Sequence, residues 1–206
     1  MRQKAVRRHQ RGVGLIEILI TLFILAIGLL GVASLQFVGS FANKDAISRT
    51  QSELVAGQVA ERLRSASRYA EIGDGLVVDN AYFDAANFNF SNLECAEDDP
   101  YGCFCLSRPA AIPNCEALQC NEAQMAQYDG WALSCAAVQT NPSTTIALNC
   151  TDNVAADPDA CSAGSRIHIL LRWPVTKQPN QSYTLSERCN PNDGDSFACV
   201  FKDIVL

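Results

Sequence analysis

Hydrophobic positions run almost unbroken from Leu15 to Val38, and Glu17 is the only charge among them. A helix that is apolar on all sides over such a length is what crossing a bilayer requires. Past Val38 the pattern becomes amphipathic. Ile47, Leu54, Val55, Val59, Leu63 and Ala66 recur at helical spacing, while Lys44, Asp45, Arg49, Glu53, Glu61, Arg62 and Arg64 take other faces. No proline occurs from Val13 to Ala70, and the glycines there stand only at 14, 28, 31, 39 and 57. Both halves therefore read as one helix from Val13 to about Ala70, roughly 85 Å long at 1.5 Å per residue. Less than half of that crosses a membrane. The rest projects beyond it, with its apolar stripe under a domain. The segment Ile72-Gly73-Asp74-Gly75 is read as the end of the helix.

Later the period shortens. Trp131–Val138, Thr145–Leu148, Arg166–Trp173, Tyr183–Arg188 and Phe197–Leu206 read as strands. The run Arg166-Ile167-His168-Ile169-Leu170-Leu171-Arg172 reads as a central one. Between helix and strands, residues 79–130 are rich in Asn, Asp, Ala and Pro. No regular element is assigned there, and disulfides substitute for core. No internal repeat is present. The expected fold is α+β, a long N-terminal helix packed on an antiparallel sheet head.

Composition sharpens this picture. The chain has 206 residues, room for one anchor and one globular domain. All ten cysteines lie beyond the helix: Cys95, Cys103, Cys105, Cys115, Cys120, Cys135, Cys150, Cys161, Cys189 and Cys199. An even count on the side facing out of the cytoplasm reads as a disulfide framework, so all ten are expected oxidised. Cys103 and Cys105 are too close for an easy mutual bridge and are expected to take different partners. Cys189 and Cys199 flank a short segment with Pro191 and Gly194 between two strand-like runs, which makes them the expected pair. The remaining connectivity stays open. Zinc is disfavoured: no Cys-x-x-Cys occurs, and the histidines are only His9 and His168. The turn Asn190 to Asp195 lacks a full calcium-loop pattern. No metal and no cofactor are expected.

The net charge is −6 overall. The tail ahead of the apolar run carries Arg2, Lys4, Arg7, Arg8 and Arg11 and no acid. From Glu71 onward 18 acidic residues face 6 basic ones, a balance of −12. Nucleic acid is therefore not an expected partner. Enzymatic activity is not expected either. No phosphate loop, His-Glu-x-x-His or nucleophile elbow is present, and His168 is the one histidine beyond the tail.

The seam Arg11-Gly12-Val13-Gly14-Leu15-Ile16-Glu17 lies directly before the apolar run. An ordinary secretory leader is cut after its apolar region; here the processing signal precedes it. This order resembles the class III leader of type IV pilins and pseudopilins. The resemblance implies cleavage by a prepilin peptidase after Gly12, N-methylation of Val13 and a role for Glu17 in assembly and register. Val13 stands where that family usually has phenylalanine. Gly28, Gly31 and Ser34 form a weak stretch of the helix that, by the same resemblance, unwinds in part on assembly. A C-terminal disulfide loop is also a common pilin device. The implied division is a leader over 1–12, a helix over 13–70 with a transmembrane segment at 15–38, and a cysteine-rich periplasmic or extracellular head over 71–206.

Leu15-Ile16-Glu17-Ile18-Leu19-Ile20, the run Ala26 to Gln36 and Ala60-Glu61-Arg62-Leu63-Arg64-Ser65 are similar to PilV-type minor pilins. That likeness implies a low-abundance type IV pilus subunit. Such a subunit joins other minor pilins and the major pilin, primes assembly and helps present a large tip adhesin. It resides in the inner membrane with a periplasmic head and then in the surface pilus. A minor pseudopilin of type II secretion shares the leader and helix. A bitopic membrane-anchored binding protein is the reading from another class.

Overall fold

The computed structural model describes residues 14–71, 74–96, 99–154, 156–175, 186–190 and 196–206. Helix α1 spans Leu15–Ala66, 52 residues. The helix stops short of the expected Ala70. The Ser67 hydroxyl donates to the Arg64 carbonyl at 2.7 Å. The chain then turns into β1 (Arg68–Tyr69), which pairs antiparallel with β2 (Leu76–Val77). The stop is thus made by Ser67 and this hairpin. Gly75 serves the hairpin instead, at a φ of +145° that favours glycine. Its carbonyl accepts from the Ala70 N–H at 3.0 Å. Ile72 and Gly73 lie outside the described residues.

Two compact units result, one ending at Ala46 and the other running from Ile47 to Leu206. In the second unit the buried stripe of α1 is Ser48, Ser52, Val55, Ala56, Val59, Ala60 and Leu63. Ile47 and Leu54, expected on that stripe, are 47% and 57% exposed. Small residues replace them. Ser48, Ser52, Ala56 and Ala60 recur every fourth position on one helix face. Short side chains there leave open space beside the helix. Ser48, Ser52 and Val55 indeed share a small cleft with Ala136 and Ala137.

Those alanines belong to α3 (Glu122–Thr140), which corrects the expected strand Trp131–Val138. The helix is started by a reciprocal cap. Asn121 accepts from the Gln124 N–H at 2.8 Å, and the Gln124 side chain accepts from the Asn121 N–H at 3.0 Å. Once begun, the run has no proline before Asn141 to stop it. Ahead of α3 lie two 3-10 turns, Asn80–Phe83 and Ala85–Asn87, and the short helix α2 (Pro100–Phe104).

The sheet is antiparallel in the order β3 (Thr145–Thr151), β4 (Arg166–Pro174), β5 (Phe197–Ile204). β4 is central, as its alternation predicts. Ile167, Ile169, Leu171 and Trp173 are buried. They share one core with Val59, Ala60, Leu63, Tyr82, Phe88, Leu133, Ile146 and Val200. The expected strand Tyr183–Arg188 falls partly outside the described residues, and Glu187–Cys189 form a turn. On the free side of β3, Asn89 does the work of a neighbouring strand. Its side chain donates to the Ile146 carbonyl and accepts from the Ile146 N–H, each at 2.8 Å. Asn89 and Phe90 both hold positive φ, 56° and 59°, and the Asn89 N–H donates to Ser134 Oγ at 2.8 Å.

Five disulfides join Cys95–Cys103, Cys105–Cys135, Cys115–Cys120, Cys150–Cys161 and Cys189–Cys199. No cysteine is left free. Cys103 and Cys105 take different partners. The loop between β3 and β4 is tied further by Asp152, which accepts from the Ser162 hydroxyl at 2.6 Å, the Ser162 N–H and the Ser165 hydroxyl. These bonds, the Ser162 hydroxyl foremost, hold its carboxyl down to about 2.

Gly130 in α3 is a close-approach position. A Cβ there would lie 2.3 Å from the Asn87 carbonyl oxygen. Gly130→Ala is expected to destabilise the head by about 1–3 kcal/mol, because rigid backbone must shift. This outweighs the roughly 1 kcal/mol that alanine gains over glycine in a helix. Gly57→Ala, where the added Cβ meets nothing within 4 Å, should stabilise instead. Paired denaturant titrations check both signs; equal midpoints would remove the steric account.

Candidate processing and assembly site

Helix α1 begins at the seam itself. The Gly14 carbonyl accepts from the Glu17 N–H at 2.9 Å and from the Ile18 N–H at 3.3 Å. Glu17 is thereby fixed in the first turn of the helix, where a carboxylate faces the positive end of the helix dipole. Its side chain is exposed, and among the described residues it has no ion-pair partner.

The apolar band follows at once. Leu15, Leu30 and Leu35 are 77%, 71% and 75% exposed. An 18-residue window of α1 reaches a mean hydropathy of 2.7 with none of it buried. An exposed apolar surface of this extent belongs in lipid or against other apolar helices. Gly28, Gly31 and Ser34 lie within the helix and are helical here; a Cβ on either glycine would meet nothing within 4 Å. Gly12 and Val13 lie outside the described residues.

Residues 7–33 match the family model described as the prokaryotic N-terminal methylation motif. That match spans Gly12, Val13, Glu17, Gly28 and Gly31, and Ser34 lies one residue beyond it. It supports a type IV pilin or pseudopilin type of protein and processing by a prepilin peptidase. The motif and the apolar helix behind it fit membrane anchoring. No curated protein and no solved structure matches the chain. The fold agrees with a pilin-like architecture: a long N-terminal helix, antiparallel strands and a disulfide-tied head.

Sequence reading missed the clamp that ties α1 to the head. Arg62 donates to Asp129 Oδ1 of α3 at 2.6 Å, and the Tyr82 hydroxyl donates to Asp129 Oδ2 at 2.7 Å. Asp129 is 2% exposed and Tyr82 1%. Burial, then the hydrogen bond to Asp129, pushes the Tyr82 hydroxyl far above its ordinary value. A buried carboxylate so paired fixes one angular setting of α1 against α3. Its sequence signal was absent: Arg62 reads as an outer-face cation, and nothing local marks Asp129. Nearby, Arg68 of β1 pairs with Glu122 at 2.7 Å.

His168 sits half-buried on the outer face of β4. Its Nε2 hydrogen-bonds Thr151 Oγ1 and its Nδ1 hydrogen-bonds Asp203, both at 2.7 Å. Among the described residues no group of three His, Cys, Asp or Glu is placed to hold a metal ion.

Proposed function

We propose that this chain is a minor pilin of the PilV type, a structural subunit of a type IV pilus and not an enzyme. One observation carries the reading: the methylation motif runs directly into an exposed apolar half-helix with Glu17 in its first turn. A simple anchor needs no glycine cut ahead of its span and no helix continuing under the head. In this reading the peptidase cleaves after Gly12 and methylates Val13. The chain waits in the inner membrane, head in the periplasm, and enters the pilus through its N-terminal helix. It acts with other minor pilins in priming assembly and in the tip complex that presents an adhesin. A minor pseudopilin of type II secretion shares every one of these N-terminal features and is the second reading.

Replacement of Gly12 by valine tests the processing step. The wild-type protein purified from membranes should show an N-terminal Val13 by mass spectrometry, methylated. The variant should keep Met1 and vanish from sheared surface pili. An uncut wild-type chain, or a variant that matures normally, sinks the pilin reading. Deletion of the gene separates the two systems: loss of surface pili with secretion intact supports the pilus, and the reverse supports the pseudopilus.

A further inference from the structure

The outer face of the three-stranded sheet gathers cations on a head that is otherwise strongly acidic. From Glu71 onward there are 6 basic residues against 18 acidic ones. Half of those basic residues, Arg166, Arg172 and Arg188, lie along this one face, which also carries Asp203, itself bonded to His168. Strand register places them. Arg166 lies opposite Thr151, and Arg172 lies opposite Thr145 on one side and Cys199 on the other. The Arg172 guanidinium lies 5.0 Å from the Phe197 ring centre, and that of Arg188 lies 4.9 Å from the Phe201 ring. His168 stacks on Phe201 at 5.6 Å. Between the cations runs a half-buried apolar row, Ala147, Leu170 and Phe201.

None of these three arginines forms an ion pair among the described residues. A guanidinium laid over a ring is held by the cation–π attraction. Its N–H edges remain available in the plane, the geometry that forks a carboxylate. The charge is also discrete. A polyphosphate chain brings dense negative charge against a head of net −12 and gains only three contacts. Carboxylates spaced along a polypeptide, with apolar residues between them, match both the cations and the apolar row.

We infer that this sheet face docks an acidic polypeptide segment of another protein, with carboxylates forked by Arg172 and Arg188 and apolar side chains laid on Leu170 and Phe201. The inference goes beyond the pilin reading and does not rest on it.

The test uses the full chain in detergent micelles and a fluorescein-labelled peptide of alternating glutamate and leucine. Its glutamine counterpart and single-stranded oligothymidylate serve as comparison probes. Anisotropy should rise with the glutamate peptide and stay flat with the glutamine one. Arg172→Ala with Arg188→Ala should weaken binding by about tenfold or more, the loss of two charge-assisted forks. Arg172→Lys with Arg188→Lys keeps the charge without the fork and should fall between. Arg64→Ala, which removes a charge paired with Glu61 on α1, should bind like the wild type. Intact disulfides and an unchanged far-UV spectrum qualify each variant; if the alanine pair misfolds, the lysine pair decides. Binding equal to wild type in the deciding variant overturns the inference. So does binding of the glutamine peptide, or tighter binding of oligothymidylate.

Discussion

A chain carrying Glu17→Ala is expected to enter the membrane as the wild type does, yet to be depleted from sheared pili. The membrane step cannot be the cause. Loss of a carboxylate from a span does not hinder insertion, since an ionised side chain is unfavourable in hydrocarbon. The defect then belongs to the assembled state. Cleavage after Gly12, as proposed, would leave a free amine on Val13 four positions before Glu17 in the sequence, and Glu17 has no ion-pair partner among the described residues. In the proposed pilin reading, the amine of one subunit would neutralise Glu17 of the next in a stack of helices, and the pair would set axial register as a buried polar residue does in a coiled coil. Immunoblots of membrane and sheared fractions check this. Wild-type amounts of the variant in the sheared fraction would remove Glu17 from assembly.

The second large effect lies in the head. Replacing Cys105 and Cys135 together by serine should be the most damaging of the five single-bridge removals. This bridge spans 30 residues of sequence, against 5 to 11 for the others. The chain-entropy relation gives roughly 3.5–4 kcal/mol for a loop of that length. It also fastens α3 to the stretch that holds the five-residue helix α2. Phe104, next to Cys105, is buried, stacks on Phe90 and offers its carbonyl to Trp131 Nε1 at 2.9 Å. Loss of the bridge should release this layer. Denaturant midpoints across the five paired variants rank them; a smaller shift here than for Cys115–Cys120 would overturn the ordering.

The parts legible in the sequence were those with one strong period or one unmistakable residue type. β4 alternates apart from Leu170, and its Ile167, Ile169, Leu171 and Trp173 are all buried in the core. The apolar half of α1 declares itself by length alone. The run Trp131–Val138 did not, because a short apolar stretch fits a buried helix as well as a strand. What decides it is the Asn121–Gln124 cap some ten residues upstream, a signal easily passed over inside a cysteine-rich region. The face of α1 was misjudged for a different reason. Ile47 and Leu54 are large apolar side chains, yet Ser48, Ser52, Ala56 and Ala60 take the inner face beside Val55, Val59 and Leu63. The clamp of Arg62, Tyr82 and Asp129 joins residues 67 positions apart and leaves no local trace.

The placement of the disulfides has a mechanical consequence. All ten cysteines lie beyond α1, and no bridge crosses from that helix to the rest of the head. Among the described residues, a pull along α1 therefore reaches the head through the peptide chain at Ser67 and through side chains, with the packing of Val55, Val59 and Leu63 and the Arg62–Asp129 contact among them. Those contacts yield before any covalent bond does. Beyond them the cross-links cap how far the chain can be drawn out, since the segment behind each bridge cannot lengthen. Under tension the molecule should give at one seam and then stiffen, with the sulfur framework setting the limit of its extension.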